Sequence, residues 1–519
     1  MDNGVILWID DEIDLLKPHI LFLTERGYTV HTSNNGDEGV DKLKSINNID
    51  IVFLDENMPG LSGIETLSII KENFPNLPVV MITKSEEEHI MDDAIGASIA
   101  DYLIKPVNPK QILLSVKKNL ENKRLVSEKT TFAYQQQFQN LGTEISPKLD
   151  HNQWTEVYKK LVFWELELSK STDNPMQEIL QMQKSEANQV FCKFYENNYI
   201  NWINGKAEDK PILSHLLLKE KVFPLLNDNN TPLFFILIDN LRYDQWKVLQ
   251  PIFEQYYRTE TEDIYYSILP TTTQYARNSL FAGLLPSEIE KKYPKYWVNE
   301  GDDDTKNNYE SELLAEYLKR HGYNVSYSYT KVLNLTSGKK LIDNLPNLLS
   351  NQLNVIVYNF VDMLSHARTE MEVIRELADN ETAYRSITQS WFNHSPLHDI
   401  VKFLSSKNVP IILTTDHGTI KVNNPVKIIG DKNTNTNLRY KTGKNLSYDK
   451  SEVFEIKKPG DAFLPKTNVS STFVFCRNNN FFAYPNNYNY YVNYYRNTFQ
   501  HGGISLEEVL IPFAILKAK

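Results

Sequence analysis

The sequence predicts an α/β protein with two strand–helix regions separated by a helical stretch. Three observations carry that reading. Short β-rich apolar runs alternate with amphipathic segments over residues 1–120, strand signals stop over 121–205, and alternation resumes from residue 232. The expected organisation is a doubly wound domain (1–120), a helical bundle linker (121–205) and a larger α/β domain with insertions (206–519). At roughly 150 residues per domain, a chain of 519 residues has room for three.

Composition narrows the function. Apolar residues make up 41% and charged residues 23%, an ordinary globular balance, so wholesale disorder is excluded. A net charge of -11 argues against a protein that coats DNA non-specifically. Cys192 and Cys476 are too few for a disulfide framework and suit a reducing compartment. MDNGVILWIDDE has no positively charged segment ahead of its apolar run, and no apolar stretch reaches the roughly 20 residues of a membrane helix. The expectation is a cytoplasmic protein with no membrane insertion.

In the first region VILWI (5–9), YTVHT (28–32), IDIVFL (49–54), LPVVMIT (77–83) and DYLI (101–104) read as strands. Polar residues gather at their carboxyl ends, where ligands bind in such sheets. Asp10, Asp11 and Glu12 follow the first, Asp55 and Asn57 the third, Thr83 ends the fourth, and Lys105 follows the fifth. Clustered carboxylates repel one another unless a hard cation such as Mg²⁺ sits among them. A lysine and a hydroxyl beside them would stabilise charge on a transferred phosphoryl group, and a carboxylate so placed can accept it.

The set DD…DENMPGLSG…T…YLIKP resembles the receiver domain of bacterial response regulators. The resemblance implies phosphorylation at Asp55, with Mg²⁺ on Asp10, Asp11, Asp55 and the carbonyl of Asn57. Thr83 becomes the switch hydroxyl, Tyr102 the switch aromatic, and Lys105 the partner of the phosphoryl oxygen. It also implies a cis Lys105–Pro106 bond.

From Glu121 to Gly205 three amphipathic stretches are divided by turn-forming residues at Gly142–Pro147 and Ser171–Pro175. They predict a small bundle acting as a coupling or dimerising spacer. With no basic recognition helix, a helix-turn-helix DNA reader is not expected.

The last region carries PLFFILID (232–239), NVIVYNFVD (354–362) and VPIILTTD (409–416), each ending on an aspartate. His366 lies four residues beyond Asp362, His417 directly follows Asp416, and His501 opens HGG. Carboxylate and imidazole together suit Zn²⁺ ahead of Mn²⁺ or Fe. Six such ligands divide between two metals, and two metals about 4 Å apart are a recurrent device for phosphoryl transfer. In LPTTTQYARNSLFAGLLP (269–286) a threonine leaves a strand as a helix begins, with Arg277 one turn in. Segments 287–345 and 421–500, rich in Tyr and Asn, interrupt the pattern. Their tyrosines and basic residues (Arg439, Lys441, Lys444, Arg496) read either as ordinary packing of a cap or as a surface for bases and phosphates.

ILIDN, PTTTQYAR, VDMLSH, TDHG and HGG together resemble the alkaline phosphatase superfamily, specifically its PglZ domain. The resemblance implies one metal on Asp362, His366 and His501. A second falls on Asp239, Asp416, His417 and a threonine nucleophile. Thr273 fits the superfamily spacing to Arg277 and Gly283; Thr271 is the alternative preferred for the PglZ branch. An extended segment would turn both toward the metals. Arg277 is a candidate for substrate binding, and threonine in place of Cys or Ser disfavours a sulfatase.

Receiver, helical bundle and PglZ domain in one chain resemble the response regulators tied to type IX secretion and gliding. That likeness implies a zinc-dependent phosphodiesterase acting on short linear or cyclic oligonucleotides. It implies a sensor histidine kinase as phosphodonor and homodimerisation on phosphorylation. An extracytoplasmic-function sigma factor or the secretion machinery would be the downstream contact. The alternative is a non-catalytic interaction protein docking such a partner through a PglZ scaffold; six intact ligands favour the enzyme.

Overall fold

The computed structural model describes residues 4–46, 48–74, 77–83, 99–170, 176–227, 231–298, 307–378, 380–431, 434–466 and 470–519. They form two compact units, Met1–Gln135 and Gln136–Lys519. No helix among the described residues is long and apolar enough to cross a membrane.

The first unit holds β1 (Val5–Ile9), β2 (Thr29–Ser33), β3 (Ile51–Asp55), β4 (Val79–Thr83) and β5 (Asp101–Ile104). Their order is β2-β1-β3-β4-β5, all parallel. Strand side chains alternate between faces, so continuous apolar runs feed two cores. Leu7, Ile9, Val52, Leu54, Val79 and Met81 pack on one face; Ile6, Trp8, Ile51, Phe53, Val80 and Ile82 pack on the other. The helices include α1 (Lys17–Thr24), α2 (Gly36–Ser45) and α3 (Gly63–Asn73). Ser62 and Glu65 form a capping box at the start of α3. A Cβ at Gly63 would lie 2.3 Å from the Asp55 carbonyl oxygen, so α3 can approach the end of β3 only with glycine there.

A 36-residue helix, α4 (Pro109–Glu144), begins in the first unit and ends in the second. It runs through Gly142 but ends at Glu144, inside the Gly142–Pro147 stretch where the sequence predicted a turn, and the chain turns at Pro147; the expected turn at Ser171–Pro175 lies outside the described residues. The next helices, α5 (His151–Leu168) and α6 (Met176–Ile203), belong to the same compact unit as the C-terminal sheet. Their aromatic faces explain why: the rings of Phe191 and Trp202 lie 6.3 and 5.8 Å from Tyr266, and Tyr199 Oη accepts the Leu269 N–H at 3.0 Å.

The second unit is built on β6 (Leu233–Ile238), β7 (Tyr257–Tyr266), β8 (Tyr327–Val332), β9 (Leu353–Tyr358), β10 (Ile411–Thr414) and β11 (Leu510–Ala518). The order is β7-β11-β10-β6-β9-β8; β10, β6, β9 and β8 are parallel, while β11 runs antiparallel to its two neighbours. Two sequence expectations need correction. Segment 287–345 does not simply interrupt the sheet, because it contains the edge strand β8; YSYTKV is only half-buried and lacks the apolar run of a central strand. The strand expected over 354–362 stops at Tyr358, and Asp362 and His366 instead lie on the helix Phe360–Glu370. Residues 420–500 form small two- and three-stranded sheets. There Arg439 is buried on Glu508 at 2.6 Å and Lys441 bonds the Asn435 carbonyl at 2.7 Å, so neither faces an external phosphate.

Candidate functional site

At the carboxyl edge of the N-terminal sheet, ligating atoms of Asp10, Asp11 and Asp55 lie within 4.8 Å of one another. The Lys105 ammonium bridges two of them, 2.7 Å from Asp55 Oδ1 and 3.1 Å from Asp10 Oδ2. Burial pushes the Asp55 carboxyl up, with Lys105 opposing. Burial works against the Lys105 ammonium, yet its bonds to Asp55 and Asp10 carry its pKa above the usual value. Lys105–Pro106 is cis, as is Leu269–Pro270. The Thr83 hydroxyl donates to the Glu56 carboxylate, a partner that the sequence reading did not single out. Asn57 is exposed, and the Tyr102 side chain is half out in solvent. One ammonium thus sits among three carboxylates, a set whose chemistry could hold a divalent cation and accept a phosphoryl group.

In the C-terminal unit, β6, β9 and β10 converge on a second acidic edge. Asp239 follows β6 and donates its N–H to the Tyr358 carbonyl at 2.8 Å; Asp416 and His417 follow β10. Asp362 and His366 share one face of their helix at a four-residue spacing. The six side chains fall into two groups whose ligating atoms lie within 4.8 Å: Asp362, His366, His501 and Asp239, Asp416, His417. His366 Nε2 and His501 Nε2 are each 3.6 Å from Asp362 Oδ1, and His417 Nε2 is 3.8 Å from Asp239 Oδ1 and Asp416 Oδ2. The groups adjoin, since the His417 and His501 rings stack at 4.4 Å.

Electrostatics fit cations at both groups. Burial pushes His417 down, and burial with the neighbouring His417 and His366 pushes His501 well down, leaving neutral imidazoles with free lone pairs. Donation by His417 Nδ1–H to the Gly418 carbonyl at 3.1 Å turns the Nε2 lone pair to the acids. Burial and then Asp239 raise the Asp362 carboxyl to about 6, and the same causes push Asp416 well above its usual range. Burial opposes Asp239 as well, but Arg277 and His417 hold it below that range. Asp416 Oδ2 is buried without a hydrogen-bond partner, so lone-pair capacity is left there for an ion. Mixed carboxylate and imidazole is a zinc donor set.

The two threonines separate. Thr273 Oγ1 lies 3.1 Å from His417 Nε2 and 3.3 Å from Asp239 Oδ1, at the mouth of the second group. Thr271 Oγ1 instead donates to the Gly503 carbonyl at 2.8 Å and accepts the Gly502 N–H at 3.1 Å. The geometry therefore disagrees with the preference for Thr271 and with an extended segment that turns both to the metals. A helical turn starts at Thr273 and rotates the two side chains apart. Arg277 also differs from its expected role. It is fully buried, with Nη1 2.6 Å from Asp239 Oδ2 and Nε bonded to Glu310, so its guanidinium is taken up by two carboxylates. Glu310 was missed because it sits in an insertion with no motif around it. Asn240, also missed, has a left-handed backbone (φ 66°) and reaches Ser365 Oγ at 3.2 Å between the two groups.

Known proteins match these regions. The chain matches the BREX system PglZ alkaline phosphatase-like domain over residues 217–516, more than half its length. It matches the PorX response regulator linker domain over 124–203 and the response regulator receiver domain over 6–117. It is similar to the alginate biosynthesis transcriptional regulatory protein AlgB of Pseudomonas syringae, 34% identical over 124 residues, 24% of this chain and 28% of that protein. It is similar to the transcriptional regulatory protein ResD of Bacillus subtilis, 34% identical over 112 residues, 22% of this chain and 46% of that one. The chain spans between about a quarter and a half of the length of these curated relatives. A solved receiver domain protein from Clostridium thermocellum is 30% identical, covering 24% of this chain and 98% of its own, with a TM-score of 0.22.

Proposed function

The chain belongs to the PglZ alkaline phosphatase-like family and carries the receiver, linker and PglZ parts of a PorX-type response regulator; from this we propose that it is a phosphorylation-controlled, zinc-dependent phosphodiesterase. The observation that carries the reading is the Thr273 hydroxyl beside one of two adjoining three-residue donor groups. Asp362, His366 and His501 would hold one zinc; Asp239, Asp416 and His417 would hold the other. Zinc bound there would activate a hydroxyl and neutralise phosphoryl oxygens.

The protein's own residues supply the rest. Thr273 Oγ1 is the nucleophile, with its hydroxyl already aimed at Asp239 Oδ1; its pKa would fall beside a cation held by the second group, and its proton would pass to solvent. Its oxygen bonds to phosphorus as the bond to the leaving ester oxygen breaks and that oxygen takes a proton from water; a second water then hydrolyses the threonine-linked phosphate ester, releasing the monoester and restoring the hydroxyl. Arg277, locked between Asp239 and Glu310, keeps Asp239 ionised and oriented. Substrates are short linear or cyclic oligonucleotides. A sensor histidine kinase phosphorylates Asp55 with Mg²⁺ on Asp10, Asp11, Asp55 and Asn57. Thr83, Tyr102 and Lys105 then convert that charge into homodimerisation. The output is control of type IX secretion and gliding, through an extracytoplasmic-function sigma factor or the secretion machinery.

The test joins elemental analysis to turnover of bis(4-nitrophenyl) phosphate, with and without acetyl phosphate. Two zinc ions per chain and turnover that responds to acetyl phosphate are expected. A zinc-loaded protein inert on every diester and monoester would leave the interaction-protein reading instead.

A further inference from the structure

A second charge cluster lies apart from the six ligands, and nothing above uses it. Glu165 from α5 and Lys184 and Asn188 from α6 meet Arg242, Asp244, Glu381, Arg385 and Glu507 of the catalytic fold. Lys184 Nζ is 2.8 Å from Glu165 Oε2 and 3.0 Å from Glu507 Oε1. Arg385 Nη1 is 2.7 Å from Glu165 Oε1 and 3.1 Å from Asp244 Oδ2. Arg242 Nη2 lies 2.6 Å from both Asp244 Oδ2 and Glu381 Oε2. Asn188 clamps the end, donating to Glu507 Oε2 at 3.0 Å and accepting the Leu506 N–H at 2.7 Å. Glu165, Asp244 and Glu381 are close enough to share a cation, but three protein cations already fill that role.

Stability does not account for such a cluster. Buried ions lose hydration, and apolar residues of equal volume often hold a fold as well. What the cluster touches is more informative. Arg242 is three residues beyond Asp239, and its guanidinium lies 5.5 and 5.3 Å from the Tyr384 and Phe499 rings. Phe499 is two residues before His501, and the Tyr384 hydroxyl bonds the carbonyl of Val361, next to Asp362. A Cβ at Gly418 would come within 2.0 Å of the Glu507 carbonyl oxygen and 3.4 Å of Arg242 Cγ, so both press on the turn that follows His417. All four ligand-bearing segments therefore rest on the cluster.

We propose that Glu165 and Lys184 are positioning residues for the metal centre, which makes the linker helices a working part of the catalytic unit. The inference rests on the zinc reading above. Held charges behind a ligand fix its orientation; losing a direct outer partner weakens metal binding by about 10- to 100-fold, and Glu165 and Lys184, which act through Arg385, Asp244, Arg242 and Glu507, should give a smaller loss.

The test uses the full chain as Glu165→Gln and Lys184→Met, with the exposed Lys160→Met of the same helix α5 as control. Zinc affinity is measured by chelator competition and by the rise in thermal midpoint on adding zinc; turnover is split into kcat and KM. Zinc affinity should fall by up to about tenfold, kcat should fall with KM little changed, and Lys184→Arg should restore both. Should Glu165→Gln fail to fold, Asn188→Ala removes the clamp on Glu507 without changing charge and is read in the same way. Variants that lower the apo midpoint but keep wild-type zinc affinity would overturn the inference alone. A wild type that takes up no zinc overturns the metal reading and this inference with it.

Discussion

The two sheets solve the same problem differently. Each gathers carboxylates at the carboxyl ends of parallel strands, where repulsion has to be met by positive charge. In the N-terminal pocket one lysine, Lys105, bridges Asp55 and Asp10, and among the described residues no histidine takes part. An ammonium on a flexible stem suits a cluster that exchanges Mg²⁺ and accepts a phosphoryl group reversibly. In the C-terminal site three imidazoles are interleaved with three carboxylates, and the one guanidinium present, Arg277, is locked behind Asp239 by Glu310. A rigid fork behind a mixed carboxylate and imidazole set suits ions that stay. The difference teaches that acidic strand ends announce a cation, while the neighbouring cation and the presence of histidine decide how firmly it is held.

The largest expected effect tests that rigidity. Arg277→Met takes the guanidinium from between buried Asp239 and Glu310, leaving Glu310 only the Lys331 ammonium at 3.5 Å, and denaturant unfolding should show a loss of about 3–5 kcal/mol. Lys105→Met should cost only about 1–2 kcal/mol with Mg²⁺ present, because the ion can replace the ammonium. Equal losses would break the contrast. Next in size, His417→Ala and His501→Ala should each lose bound zinc by elemental analysis, whereas Asp55→Ala should keep two zinc ions per chain. Wild-type zinc content in both histidine variants would remove the metal centre.

Thr273→Val should lower diester turnover on the order of 10²-fold or more while metal binding survives. Thr271→Val should spare turnover and instead cost about 1–3 kcal/mol, from the unpaired backbone groups of Gly502 and Gly503. The reverse pattern would return the nucleophile to Thr271. The smallest effect is a shift in association. Beryllofluoride should increase dimerisation of the wild type in light scattering and leave Asp55→Ala unchanged; an equal shift in both would dismiss Asp55 as the switch.

Much of this was legible before folding. Asp10, Asp55, Thr83 and Lys105 lie at or just beyond the ends of strands that announce themselves by apolar runs, so period and boundary located them together. The same holds for Asp239 and Asp416. The helical Asp362–His366 pair was legible from its spacing, although the strand before it was read too long. Strand β8 was not legible, because an edge strand half open to solvent lacks the apolar signal. The positions of the two threonine hydroxyls were not legible, because one turn of helix beginning at Thr273 changes which hydroxyl lies beside His417 and Asp239, and residue types do not report where a helix starts to within two positions.

The sequence by itself determined the two alternating sheets, the helical stretch between them and the six-residue donor set, because those are patterns of neighbours along the chain. Only the tertiary structure decided that Arg277 is held by Glu310, that Thr271 bonds to the HGG segment, and that Glu165 of a featureless linker meets Arg385 some 220 positions away. A buried charge must find its partner in space or not be buried at all, and that condition leaves no trace in local periodicity.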